Sequence, residues 1–316
     1  MTPPRSPGTR SPGTRSPSTR SPSPRRSSSG FTLVELVMVI VVGGIMAATL
    51  VVFFRPAMEN YLASRARADL TDQADTALRR MLRDVRVAVP NSIRTPNASC
   101  FELVPTSTGG RARIAPDTVN DSGASCAPSS TCAAPLDNTQ ATTAFDVLTP
   151  MSTTPAVGDF VVVGNQNPAE VYSRVNVAAI TSVSSAFPTF GRMRLGVAST
   201  QFPLGYDGGR FSIVPAAQGP VFYVCSGADG TLDASGNGKG TLARVMNYGF
   251  NAAYPTACPA AANGDVLATR VRSCTFVYEP TQGATQQNGF VWMQIELTRN
   301  SEPAVLALGA HVSNAP

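Results

Sequence analysis

The chain has 316 residues, enough for one large domain or two small ones. It is 43% hydrophobic and only 14% charged, with 26 Gly and 26 Pro, a mix that argues for a β-rich body and against a helical bundle. The formal charge of +5 misdescribes that body: six of the 25 basic residues precede Phe31 with no acid among them, which leaves 19 basic against 20 acidic side chains, and with no basic patch interleaved with aromatics no nucleic acid is expected as a partner.

In chain order, residues 1–29 repeat Arg-Ser-Pro about every five residues, at Arg5, Arg10, Arg15 and Arg20, with almost nothing apolar. Proline blocks both helix and sheet ladders, so a basic, disordered leader is expected, kept on the cytoplasmic side by its charge. Phe31 to Phe54 is the long apolar run, FTLVELVMVIVVGGIMAATLVVFF. As a helix it spans about 36 Å at 1.5 Å per residue, against a bilayer core of about 30 Å. Arg25 and Arg26 precede the run and Arg55 follows it; Gly43-Gly44 is a soft point, and Pro56 is expected to kink the helix or remove one of its hydrogen bonds.

The pattern stays helical over 57–89 and turns amphipathic. Leu70, Ala74, Ala77, Leu78, Met81, Leu82 and Val85 form one stripe at spacings of three and four, suited to packing on a sheet. Glu59, Asp69, Asp72, Asp75 and Asp84 are assigned to a solvated face, with Arg65/Asp69, Asp75/Arg79 and Arg80/Asp84 as i,i+4 pairs. Pro90 is expected to end the helix.

Residues 91–143 read as a loop-rich connection holding short strands near 100–104 and 112–115. From 144 onwards, strands are expected near 145–148, 159–163, 170–183, 192–198, 210–214, 220–225, 241–248, 266–278, 289–298 and 304–312, joined by Gly-containing turns that favour antiparallel pairing. The Gly- and Asp-rich stretch 227–240 reads as a mobile hairpin tip.

The six cysteines, Cys100, Cys126, Cys132, Cys225, Cys258 and Cys274, are candidates for disulfides; their even number suits an exported chain, and their pairing is left open. No CxxC occurs, which argues against a redox site or a zinc ribbon. The single histidine, His311, reads as a strand or surface residue, and neither a P-loop nor HExxH is present, so no catalytic residue and no cofactor are expected. Asp229, Asp233 and Asn237 offer oxygens of the kind Ca²⁺ takes, but not at EF-hand spacing, and no metal is expected.

The informative constellation is Gly30-Phe31-Thr32-Leu33-Val34-Glu35 at the head of the apolar helix. An acid inside a membrane helix costs at least about 2.5 kcal/mol, so Glu35 needs a partner. Cleavage between Gly30 and Phe31 creates one, an α-ammonium at Phe31, most usefully paired with Glu35 of a neighbouring subunit. Such a pair specifies register more than it adds stability.

GFTLVEL with its following helix resembles the processing signal of type IV pilins and type II secretion pseudopilins. The resemblance implies cleavage after Gly30 by a membrane-embedded prepilin peptidase, N-methylation of Phe31, and a role for Glu35 in assembly. It also implies a bacterial inner-membrane protein with one span and a periplasmic body, later part of an extracellular filament. Its partners are then other pilin subunits and the pilus assembly machinery.

Residues 67–84 with Val89-Pro90-Asn91-Ser92-Ile93-Arg94, and more weakly Cys225 and Ser273-Cys274-Thr275-Phe276, resemble the minor pilin-like proteins of mannose-sensitive haemagglutinin (MSHA) pili. The long Arg-Ser-Pro leader departs from that family's short one. The expected fold is α+β: a long N-terminal helix whose first half spans the membrane and whose second half packs on an antiparallel β-sheet body. The expected divisions are a leader over 1–30, a membrane and filament-core helix over 31–55, an amphipathic helix over 56–90, the connection over 91–143 and a β-rich head over 144–316. A type II secretion pseudopilin and a filament-tip adhesin or DNA-uptake subunit are the alternative readings.

Overall fold

The computed structural model describes residues 30–124, 126–203, 209–282 and 288–315. The expected leader lies outside them except for Gly30. The chain divides into two compact units, one ending at Met58 and one beginning at Glu59.

Helix α1 (Leu33–Arg86) runs through Pro56 and contributes to both units. In the first unit every helical side chain is exposed, including Val39, Ile40, Phe53 and Phe54. The segment is long and apolar enough to cross a membrane, with a mean hydropathy of 2.8 over its most apolar window. An all-round apolar helix with no protein against it suits lipid or the helices of other subunits.

In the second unit α1 lays its stripe, Leu70, Ala74, Ala77, Leu78, Met81 and Val85, into a core shared with a seven-stranded sheet. The helix ends four residues before Pro90, because Val89 leaves it to donate its N–H to Val104 O and Ala88 bridges Pro105. The sheet is built from β1 (Arg94–Asn97), β2 (Cys100–Leu103), β9 (Val221–Ser226), β10 (Gly240–Val245), β11 (Asp265–Gln282), β12 (Asn288–Arg299) and β13 (Glu302–Ser313), in the order β1-β2-β9-β10-β11-β12-β13, all antiparallel. Register shifts and a left-handed Arg270 (φ 58°) interrupt β11. Bulges of this kind bend a strand, and beyond it Phe276 N–H reaches Ala98 O in the β1–β2 turn.

Between β2 and β9 the chain builds a second body. β3 (Thr108–Arg111), β4 (Thr142–Val147), β5 (Phe160–Val163), β6 (Val177–Ser184), β7 (Met193–Thr200) and β8 (Arg210–Val214) run in the order β3-β8-β5-β6-β7-β4. The two outer strands then meet: Ala112 bridges Val147, Leu148 N–H donates to Arg111 O, and Arg113 N–H donates to Asp146 O. The sheet therefore closes into a six-stranded barrel. Phe145, Val161, Val163, Ile180, Leu195, Phe211 and Ile213 fill it. Val162, of opposite pleat, faces the seam with Val89, Val104, Tyr172 and Val214.

Three disulfides brace the body: Cys100–Cys258, Cys126–Cys132 and Cys225–Cys274. Two of the buried ion pairs link strand to strand. Arg94 donates to Glu102 across β1 and β2, and its guanidinium lies 3.4 Å from the Tyr172 ring centroid. Arg194 grips Asp146 inside the barrel wall and donates to the Ser129 and Cys132 carbonyls, fixing the small disulfide loop.

Three local expectations change. The strand expected from 170 begins at Val177, because Asn167 caps a short helix α2 (Pro168–Ser173): its side chain accepts from Ala169 N–H, with proline at the first helical position. The strand expected at 112–115 is displaced to β3, whose neighbour Ala112 supplies the barrel-closing bridge. The 227–240 connection is tied down: Gly238 N–H donates to Thr298 O, and Ser301 N–H to Gly236 O, so it docks on the β12–β13 turn.

Candidate functional site

The candidate site is the N-terminal end of α1. Gly30 and Phe31 precede the helix and are exposed, Phe31 at 78%. Thr32 caps the helix, its Oγ1 accepting from Glu35 N–H at 3.2 Å, and its carbonyl accepts from Leu36 N–H. Thr32-Leu33-Val34-Glu35 is therefore a capping-box sequence, with Glu35 at the third helical position where a carboxylate also complements the helix dipole. The S/T-x-x-E spacing of this cap is visible in the sequence at Thr32 and Glu35.

A Cβ added at Gly30 meets nothing within 4 Å. The chain's own fold thus places no demand for glycine there. A requirement for a small residue must come from something that binds this segment. Phe31 and Glu35 flank the cap within one helical turn, so the Phe31 backbone nitrogen and the Glu35 carboxylate share one helix end.

Farther along α1, one acid departs from its expected place. Asp84 is buried, not on a solvated face. Its Oδ2 accepts from Tyr223 Oη at 2.7 Å and from Arg244 Nε at 2.9 Å, clamping the helix to β9 and β10. Burial and the adjacent Asp84 carboxylate push the Tyr223 phenol well above its ordinary value, so it stays a donor. The spacing from Met81, three residues, already puts Asp84 on the apolar stripe. Asp75 does pair with Arg79 on the exposed face, as expected.

The Asp229, Asp233 and Asn237 oxygens are turned to their own loop. Asp229 accepts from Thr231, and Asp233 from Ser235 N–H and from Asn237 N–H and Nδ2. No group of three or more metal-ligating His, Cys, Asp or Glu side chains occurs among the described residues. His311 lies on β13 against the Phe290 ring.

Residues 25–51 match the family described as the prokaryotic N-terminal methylation motif. The chain has a type IV pilin-like N-terminus. That segment holds Gly30, Phe31, Glu35 and most of the apolar half of α1, and the motif carries with it a prepilin peptidase and assembly with other pilins. No curated protein and no solved structure matches the chain. With an exposed apolar helix behind it, the pilin-like N-terminus fits membrane anchoring.

Proposed function

We propose that this chain is a minor pilin-like structural subunit of a type IV pilus, of the MSHA kind, cut between Gly30 and Phe31 and N-methylated at Phe31. The observation that carries the reading is the methylation motif at 25–51 placed directly on a helix whose apolar side chains are all exposed as far as Met58. In the membrane those side chains contact lipid; in a filament they contact the same helix of neighbouring subunits. The Phe31 ammonium of one subunit and Glu35 of the next set the stagger, since an unpaired carboxylate in that core is costly. The body would lie on the periplasmic side of a single span, and later on the filament.

The barrel between β2 and β9 supports a place at the filament tip or in its initiating complex, because a subunit enlarged in this way is poorly suited to a closely repeated shaft. An adhesive role for that body is the second reading this feature favours.

Mass spectrometry of the protein extracted from membranes tests processing. The expected mature chain begins with N-methylated Phe31. A chain still carrying residues 1–30 in a strain with an active prepilin peptidase refutes the proposal. Immunogold labelling at one end of filaments is expected; dense labelling along the shaft refutes the tip assignment.

A further inference from the structure

At the seam where the end of α1, the barrel wall and the last residues after β13 converge, the second unit holds a cavity of about 480 Å³. Three arginines line it: Arg86 from the last turn of α1, Arg111 from β3 and Arg210 from β8. No aspartate or glutamate does. All three side chains are exposed, and among the described residues none has a carboxylate partner.

The arrangement is unfavourable as it stands. Arg111 and Arg210 are direct cross-strand partners in the β3–β8 ladder. Like charges placed directly opposite destabilise a sheet pair. Their side chains share one face: Phe211 turns into the barrel core, so Arg210 and Ser212 on either side of it turn outward. Arg86 has a structural reason to be where it is, since a cation at a helix C-terminus complements the dipole. Arg111 and Arg210 have none. The three arginines buried in this body are each matched to a carboxylate: Arg94 to Glu102, Arg194 to Asp146 and Arg244 to Asp84.

Position is fixed from behind. Arg111 N–H donates to Thr149 Oγ1, and Gly209, left-handed at φ 57°, packs so closely on Ala112 O that a Cβ there would meet it at 2.8 Å. The two arginines therefore leave rigid strand ends, and Ser212 adds a hydroxyl to the same wall. Guanidinium forks match tetrahedral oxyanions through paired N–H donors. Three cations with no acid call for more than one negative charge.

We propose that this cavity binds a doubly charged tetrahedral oxyanion, a phosphoryl group held by Arg111, Arg210 and Arg86. The occupant is either free phosphate or a phosphate ester of a small molecule. Its charge removes the repulsion across the β3–β8 ladder, so binding also stiffens the seam between barrel and sheet.

The test uses the full-length chain in detergent micelles, titrated at constant ionic strength with inorganic phosphate, sulfate, acetate and glucose 6-phosphate, and followed by calorimetry and thermal unfolding. Phosphate and sulfate are expected to bind saturably and to raise Tm, and acetate is not. Arg111→Gln and Arg210→Gln are each expected to weaken phosphate binding by ~10-fold or more, the loss expected for a charge-assisted hydrogen bond. Each should leave the ligand-free Tm unchanged or higher, because the cross-strand repulsion is gone. Tighter binding of glucose 6-phosphate than of inorganic phosphate identifies an ester as the occupant, and equal binding identifies the free ion; either supports the site. A flat phosphate titration, an equal response to acetate, or an undiminished response in the double variant overturns it, as does a ligand-free Tm that falls in both single variants.

Discussion

At the scale of single residues, the proposed function gives Gly30 and Glu35 different work, and each can be separated from folding. Nothing in the chain crowds Gly30, so Gly30→Leu should fold and insert normally yet accumulate as uncut precursor on an immunoblot. Normal processing would count against recognition of this glycine by the peptidase. Glu35→Ala should be cut, since Gly30 and Phe31 are untouched, and should fail to enter sheared filaments; wild-type recovery removes the pairing argument. Asp233 offers a pH test in the body. Hydrogen bonds from Asn237, backbone then side chain, and from the Ser235 amide hold its carboxyl below the ordinary 3.8. A carboxyl whose folded value is depressed stabilises fully above the unfolded value and loses that contribution as pH falls through the folded one. The Tm difference between wild type and Asp233→Asn should therefore be largest at neutral pH and shrink below about pH 4; a difference independent of pH would show that the charge is irrelevant.

Elements show where periodicity was enough and where it was not. The α1 stripe is legible because apolar residues at three- and four-residue spacing share one face; all of it is buried except Leu82, which is partly buried, and Asp84 joins the buried set. The expected Arg80–Asp84 pair is present at 3.7 Å, but its spacing does not reveal that Asp84 is buried, because the other two partners of its carboxylate are 139 and 160 residues away in sequence. Removing it strands a buried guanidinium. Asp84→Ala should cost about 3–5 kcal/mol in chemical unfolding. Asp75→Ala, on the exposed face, should cost no more than about 0.5 kcal/mol. Equal losses would mean that the Asp84 clamp adds nothing to surface pairing. Helix α2 does not show in the sequence pattern, since six residues are too few for a helical period and Asn-Pro reads equally as a turn. Its cap was nonetheless present at Asn167.

For the whole molecule, the decisive feature is that the barrel interrupts a sheet without breaking it. Leu103 and Val221 are directly opposite in the β2–β9 pair, so everything between them leaves and returns at one point. Replacing residues 104–220 by a two-residue Asn-Gly turn should join β2 to β9 as a hairpin. The shortened chain is expected to keep membrane insertion and cleavage after Gly30, to keep strand content by circular dichroism, and to lose any phosphate response. Loss of the Tyr223–Asp84–Arg244 clamp, seen as proteolysis of α1 beyond Glu59, would show that the barrel is integral to the body. What the sequence alone determined is local: the processing-type N-terminus, the apolar and amphipathic halves of one helix, and most strand positions, all written in neighbouring residues by charge, hydropathy and period. What only the tertiary structure decided is non-local: which cysteines pair, that one strand set closes into a barrel inserted within the other, that Asp84 is a clamp, and that Arg86, Arg111 and Arg210 share a cavity. Those depend on contacts between residues far apart in the chain, where a side chain's type fixes what it can do but not what it will meet.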